Sequence, residues 1–396
     1  MHTLGTALLL VRPGILLVGA LAQGYLFLQV RRALQTRGWS ARATWGVGAA
    51  MCFLWGLHAY VVLARLPWVE PPVLAQVALL VPAVVGTYGA ILSALVLLGL
   101  RAGGWLGQLV GRGRTRAPGD DPSAPMDITR RRVLHAGVAG LAAAPFVLVG
   151  YGVGYASRAY QLTALSLPFG RALRVVHLSD LHAGLYLTRE AMKGYVDLVN
   201  ALQPDLVVLT GDFISTSMAF LYGCAEELAR IRSRYGTVAV LGNHEHWYGN
   251  PREVAAVFQA HQIVLLPNAH HVMQTAQGPF AVAGIDDLGS GQADLGAALQ
   301  GLDPTIPTLL LSHHPEIFPQ AAQHGVPLTL AGHWHGGQIR LSLPGLQLSV
   351  AHLLSPYPQG LYRLNASHLY VSRGIGTAWV PIRLNASPEV GLLTLT

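Results

Sequence analysis

The chain has 396 residues, 52% of them hydrophobic and 11% charged, with a formal net charge of +7. The charge is uneven: residues 1–159 carry 14 basic and 4 acidic side chains and residues 160–396 carry 12 and 15, so the basic excess tracks an apolar half and offers no case for nucleic-acid binding. Two cysteines, Cys52 and Cys224, one in each half, exclude a disulfide framework and a cysteine zinc knuckle.

The first elements in chain order are apolar stretches at about 13–30, 43–64 and 73–100, each long enough to cross a hydrocarbon core of roughly 30 Å as a helix. Arg12, at the start of the first, is placed to snorkel to the interface. The intervening loops differ in charge. Arg31, Arg32, Arg37 and Arg42 lie in the first, Arg65 alone in the second, and Arg101, Arg112, Arg114, Arg116, Arg130, Arg131 and Arg132 in the third. By the positive-inside rule the first and third loops are cytoplasmic, and a fourth apolar stretch, 133–156, then carries the remainder outward. Residues 112–127 have the Gly, Pro, Ser and Asp content of an exposed linker. The chain therefore divides into a three-helix transmembrane region (1–110), a linker (111–128), a segment 129–159 and a domain 160–396.

The segment beginning TRRRVLH at Thr129 has the form of a twin-arginine export signal, with Arg130 and Arg131 as the pair; the same arginines serve equally as the cytoplasmic anchor of a fourth transmembrane helix. Either reading sends residues 160–396 across the inner (cytoplasmic) membrane to its extracytoplasmic side. An uncut segment after Arg132 keeps the domain tethered.

Within that domain five short Val-, Leu- and Ile-rich runs, at 175–178, 206–209, 238–241, 309–311 and 328–330, read as buried strands of a doubly covered sheet. Each ends in metal-binding side chains: Asp180 and His182 in SDLH, Asp212 in TGD, Asn243 and His244 in GNHE, His313 in SHH, and His333 and His335 in GHWH. Open α/β sheets bind ligands at strand carboxyl ends, so residues far apart in sequence converge on one crevice. Gly211, Gly242 and Gly332 each precede a ligand, where a missing Cβ lets backbone crowd close. Carboxylates, imidazoles and one amide oxygen, with no thiolate, suit Mn, Fe or Zn. Helices read at 188–202, capped by Thr188, and at 224–234. Another apolar run, 280–285, ends in Asp286 and Asp287, and the stretches 338–342, 360–364, 368–372 and 390–396 read as a second sheet.

The order Asp-x-His, Gly-Asp, Gly-Asn-His-Glu, His, Gly-His-x-His resembles the calcineurin-like metallophosphoesterase superfamily. GNHEHWYG, LSHHPE, AGHWHGGQ and RLNASPEVGLLTL are similar to its bacterial membrane-associated branch of YkuE- and YaeI-like phosphodiesterases. The resemblance spans about residues 170–396 and implies a metallophosphoesterase sandwich, two stacked mixed β-sheets flanked by helices, after the multi-pass helical membrane region. It implies two metal ions, with Asp180, His182 and His335 on one, Asn243, His313 and His333 on the other, and Asp212 bridging them. Such a bridge holds cations roughly 3.5 to 4 Å apart, and a metal-bound hydroxide then attacks a phosphate ester. His244, left off the metals, stabilises the transition state or protonates the leaving oxygen, and Glu245 orients it. The family often has Gly-Asp-x-x-Asp; this chain has Ser215 at the second Asp, so altered support around the ligands is expected.

His246, Trp247 and Asp286 are candidate substrate-pocket residues, with packing at a strand-to-loop corner an equal reading for the first two. His261, His270, His271, His314, His324, His352 and His368 read as surface or satisfied polar residues. A tethered phosphoesterase meets lipids and envelope polymers at high local concentration, so a phospholipid, a lipid-linked pyrophosphate or a cell-wall phosphodiester heads the expected substrates. One alternative is a UDP-diacylglucosamine-type pyrophosphatase, which requires a domain facing the cytoplasm. An alternative of another class is a non-catalytic metal-binding scaffold.

Overall fold

The computed structural model describes residues 2–63, 73–111 and 128–396; Arg65 and the stretch 112–127 read as a linker lie outside them. The chain forms two compact units, His2–Gly154 and Tyr155–Thr396. The first is helical, with α1 (His2–Gln35), α2 (Ala41–Leu63), α3 (Val73–Gly111) and α4 (Ile128–Tyr151). Among the described residues, Gly14–Gln35, Val81–Leu106 and Arg132–Ala156 are long and apolar enough to cross a membrane. The remaining stretch read as a span, 43–64, falls on α2 and ends outside the described residues.

Small residues let these helices approach closely. A Cβ added to Gly19 would fall 2.7 Å from Thr87 Cγ2, and one on Gly89 would fall 2.5 Å from the Phe146 ring. Polar side chains facing the neighbours find carbonyls there: Ser93 donates to Ala142 at 2.6 Å, Gln23 to Gly86 at 3.2 Å and the Trp55 indole to Leu16 at 3.0 Å. Without such partners each would be a costly unsatisfied donor in hydrocarbon.

The second unit stacks two six-stranded mixed sheets. Its strands are β1 (Gln161–Leu167), β2 (Leu173–Leu178), β3 (Leu206–Thr210), β4 (Thr237–Val240), β5 (Ile263–Leu265), β6 (Ala269–Thr275), β7 (Gly278–Gly284), β8 (Thr308–Leu311), β9 (Leu328–Ala331), β10 (Leu341–Leu343), β11 (Leu346–Leu348), β12 (Gly360–Leu364), β13 (Ser367–Val371) and β14 (Glu389–Leu395). One sheet runs β1-β14-β2-β3-β4-β5 and the other β12-β13-β9-β8-β7-β6. Helices α5 (Arg189–Ala201), α6 (Leu221–Leu228), the short α7 (Asn243–Trp247) and α8 (Pro251–Ala260) follow strands of the first sheet.

Alternate residues of a strand face different layers. Val176, Leu178, Val207 and Leu209 join the cluster that holds Val199 of α5, Leu228 of α6 and Phe258 of α8. Their neighbours Val175, Leu206 and Val208 instead meet Phe280, Leu309 and Leu330 between the sheets. Burial on both faces is why these strands read as mainly apolar runs without alternation; His177, inside the β2 run, is itself buried against Thr210. Caps match the chemistry of their sequences: Thr188 accepts from the Ala191 amide at 3.3 Å to start α5, and Asn250 followed by Pro251 starts α8.

Three boundaries differ from the sequence reading. The last strand, read at 390–396 as part of the second sheet, lies in the first, parallel to β1 and antiparallel to β2. Its residues are nearly all buried, so its apolar pattern carries no hint of which sheet it joins. The stretch 338–342 joins neither six-stranded sheet: Ile339 makes an isolated bridge to Leu384, and its end enters β10, which pairs with β11 as a separate exposed ribbon across Pro344-Gly345. Its alternation reports a strand period and says nothing of burial. Finally, α6 starts at Leu221 and stops at Leu228, where the sequence reads as a helix over 224–234.

Candidate metal centre

Each sequence-read ligand follows a strand that has a parallel neighbour. Asp180 and His182 come after β2, Asp212 after β3, Asn243 opens α7 after β4, His313 follows β8, and His333 and His335 follow β9. The structure brings all seven together. Asp180, His182 and His335 offer ligand atoms within 4.8 Å of one another, as do Asp180, Asp212 and His313. The Asp212 Oδ2 atom stands between the groups, 3.5 Å from His182 Nε2 and 3.4 Å from His313 Nε2. His182 Nε2 faces His335 Nε2 at 3.0 Å, His313 Nε2 faces Asn243 Oδ1 at 3.1 Å, and His333 Nδ1 lies 3.2 Å from His313 Nε2.

This assembly is held in unfavourable backbone. Asp180, His182, Asp212, His333 and His335 all have positive φ, between 48° and 72°. A non-glycine residue there costs about 1–3 kcal/mol and persists only where its surroundings over-determine it. Loops from neighbouring strands supply that constraint: the Asp180 amide donates to Gly211 O at 3.1 Å, and the His182 amide to Asp212 O at 2.8 Å. Glycine is required at two of the close approaches. Gly211 has φ 83° and a Cβ there would sit 2.8 Å from His313 Nδ1; a Cβ on Gly332 would sit 1.9 Å from Ser179 Oγ and 2.3 Å from Asp180 Oδ2.

Burial pushes the His182 and His335 imidazoles down to about 3, and also drives His333 well below its ordinary value. These rings are therefore neutral, with lone pairs free to ligate. Asp212 and His313 behave as an ion pair. Burial opposes the charge on each, but His313 and His244 hold the Asp212 carboxyl well below the usual range, and Asp212 pushes His313 up to about 10. His313 Nδ1 lies 2.8 Å from the Thr210 carbonyl, which leaves Nε2 as the atom turned to Asp212. The Asp212 carboxylate, the Asn243 amide oxygen and the ring nitrogens of His182, His333 and His335 gather in one oxygen- and nitrogen-rich donor set that fits borderline cations, which His313 joins by giving up its Nε2 proton.

Glu245 and His244 differ from their expected relationship. The Glu245 carboxylate does not orient His244. It accepts four amides, from Asp212 and Gly242 at 2.9 Å, Phe213 at 2.8 Å and Ile214 at 3.1 Å, and so shapes the turn that projects Asp212. The His244 ring is held instead through Nδ1 by the Ser215 carbonyl. Its Nε2 is 3.9 Å from Asp212 Oδ2, and its ring is 4.4 Å from that of His182. Ser215 acts on it through backbone alone, so Ser215→Ala is expected to keep hydrolytic activity within about twofold of the parent, as for a substitution that removes no buried contact. A large loss of kcat would show that the hydroxyl matters.

The remaining candidates rim this centre. His246 Nε2 pairs with Asp286 Oδ1 at 2.8 Å, and that carboxylate raises the imidazole above its ordinary value. Trp247 is 40% exposed and its ring lies 5.7 Å from that of His244. His314, read as an ordinary polar residue, has its ring centroid 3.8 Å from that of His333 at a 34° tilt, and its Nε2 lies 3.0 Å from Asp287 Oδ1. Glu316 accepts from the Trp334 indole at 2.8 Å and from Ser355 Oγ at 2.5 Å, fixing the residue between His333 and His335. Burial would raise its carboxyl, but His314, Ser355 and Trp334 outweigh that and bring it from 4.5 to about 2. A depressed carboxyl stabilises the fold above its unfolded value and loses that contribution as pH falls through its folded one. Glu316→Gln is therefore expected to lower the melting temperature at neutral pH and to flatten its fall between about pH 4.5 and 2, measured by thermal melts across that window.

Arg383 carries no mark in the sequence that sets it apart as part of the site. It is fully buried and donates to the carbonyls of Arg373, Gly374, Gly376 and Ala386, with one terminal nitrogen 3.2 Å from His335 Nδ1. The loop it clamps presses on the first ligand: the Gly376 amide donates to Asp180 O at 2.7 Å.

Residues 173–337 match the calcineurin-like phosphoesterase family. The chain is 29% identical over 281 residues to the metallophosphoesterase YkuE of Bacillus subtilis, covering 68% of this chain and 98% of that one. It is 30% identical to the metallophosphoesterase YkoQ of the same organism, over 57% of this chain and 84% of that one. It is 28% identical to the phosphodiesterase YaeI of Escherichia coli, over 68% of this chain and 99% of that one. The fold and these matches define a metallophosphoesterase. The chain belongs to the calcineurin-like phosphoesterase family.

Proposed function

We propose that this chain is a membrane-tethered hydrolase of phosphate esters, most readily diesters, that works with two metal ions. The observation that carries the reading is Asp212, whose Oδ2 lies 3.5 Å from one imidazole of the first ligand group and 3.4 Å from one of the second. Asp180, His182 and His335 would hold one ion, Asn243, His313 and His333 the other, and Asp212 both. Bound there, Mn, Fe or Zn ions would supply Lewis-acid polarisation of the phosphoryl group and a water acidic enough to act at neutral pH. Asp212 keeps the donor groups in register, because its Oδ1 also accepts the His244 amide at 2.9 Å. Glu245 fixes the turn from which Asp212 projects. His244, oriented by the Ser215 carbonyl, presents Nε2 at the rim of the same cluster, where it can stabilise the developing charge or protonate the leaving oxygen. His246, Trp247 and Asp286 line the approach.

The division into membrane region 1–110, linker 111–128, segment 129–159 and catalytic domain 160–396, with that domain outside the cytoplasm, is part of the proposal. It rests on the arginine content of the loops. A phosphodiesterase reading is supported by the name of the YaeI relative. A lipid or cell-envelope phosphate ester is the substrate class favoured by anchorage. The test is hydrolysis of bis-aryl and mono-aryl phosphates by the full chain in detergent, with Mn, Zn or Fe added in turn. Metal-dependent diester cleavage is expected. No turnover with any of the three would leave only a metal-binding scaffold.

A further inference from the structure

Immediately after the last ligand motif the second unit exposes apolar side chains in one run. Leu341 and Leu343 of β10, Leu346 and Leu348 of β11, and Leu353 and Leu354 of the helical turn Val350–Leu354 are between 41% and 73% exposed. Nothing among the described residues covers them. An uncovered apolar patch of this kind marks an interaction surface.

We propose that this ribbon and the turn that follows it seat in the surface of the bilayer that anchors the chain, as an apolar lip beside the metal centre. The inference rests on the membrane anchorage and not on the hydrolase reading. Three observations select a bilayer as the occupant. First, the base of the ribbon is tied to the point where the chain leaves its last apolar helix. The Gln338 side chain bridges Ala378 N and Val380 O at 2.9 and 2.5 Å, and the Arg340 amide donates to Leu384 O at 2.9 Å. In the same loop Pro381 O accepts from Ser157 Oγ at 3.2 Å, and Ser157 directly follows the membrane-length segment ending at Ala156. Second, Trp379 in that loop is 59% exposed, the placement tryptophan takes at a membrane–water interface. Third, residues 317–388 contain no Asp or Glu, within a domain that is otherwise acidic, and of their arginines Arg363 is exposed and Arg340 half-buried, whereas Arg373 pairs with Glu389 and Arg383 is buried among carbonyls. That bias complements anionic headgroups. The two strands pair with each other alone, so their outer amide edges need water or headgroups, which sets an interfacial depth with only the leucines below.

The test uses the full chain with Cys52→Ala and Cys224→Ala, carrying a nitrobenzoxadiazole label at Leu343→Cys or, as control, at exposed Gln259→Cys. Each is reconstituted into phosphatidylcholine vesicles with or without phosphatidylglycerol, containing doxyl-labelled lipid. Lipid-borne quencher is expected to remove about half or more of the signal at 343 and little at 259, more so with phosphatidylglycerol present. Equal, weak quenching at both sites while aryl diester hydrolysis persists would overturn the seating and leave the hydrolase reading intact. Strong quenching at 343 in a chain without hydrolysis would uphold the seating and count against the hydrolase. Efficient disulfide formation between two unlabelled copies of the Leu343→Cys chain, without lipid quenching, would assign the face to a second copy and overturn the proposal.

Discussion

Asp212→Asn is expected to strip both metal ions at once and to lower hydrolysis by about 10³-fold or more, since one carboxylate serves both ligand groups and the chemistry depends on the pair. Its Oδ2 lies about equally far from His182 and His313, at 3.5 and 3.4 Å. An amide at this position cannot offer the same charge to either side. The fold should survive, because the turn bearing residue 212 is held by Glu245 through backbone amides that the substitution leaves in place. Metal content by mass spectrometry, alongside circular dichroism, separates the outcomes. A variant that keeps one ion at full occupancy would show that Asp212 belongs to a single site.

His244→Ala is expected to have the opposite signature, with metal content unchanged and kcat reduced by about 10²- to 10⁴-fold, the usual range for a positioned acid or base. The ring contacts the His182 ring and the Ser215 carbonyl, and its Nε2 is farther from Asp212 than that of His182 or His313. If it protonates the leaving oxygen, the loss should grow as the leaving group becomes more basic, so an alkyl ester suffers more than a nitrophenyl ester. A uniform loss across leaving groups would assign it to charge stabilisation. Equal activity in the variant would remove it from the reaction.

The strand ends are legible because each of the five runs is a short block made mostly of Val and Leu with metal-binding side chains within a few residues of its end, the pattern expected of strands buried on both faces. Convergence follows from where open α/β sheets place their ligands. What escapes is whatever depends on backbone shape or on distant partners. Glu245 sits next to His244 in the chain, yet α7 turns its carboxylate back onto the amides after β3, a contact between residues 31 to 33 apart. The left-handed backbone at Asp180, His182 and Asp212 leaves no mark in residue type, since Asp and His tolerate it and also ligate metals. Arg383 looks like one more basic residue near the end of the chain; only the folded loop shows it filling its donors with carbonyls behind His335. The alternation at 338–342 indicates a strand and, carrying no burial information, reads as part of a sheet when it forms an exposed ribbon.

X-ray absorption at the metal edge of the full chain loaded with Mn, Fe or Zn decides whether two ions share Asp212. Nitrogen and oxygen scatterers without sulfur are expected, and a second metal at roughly 3.5 to 4 Å, as two cations sharing one carboxylate require. An isolated ion with no metal neighbour at saturating concentration would contradict that sharing.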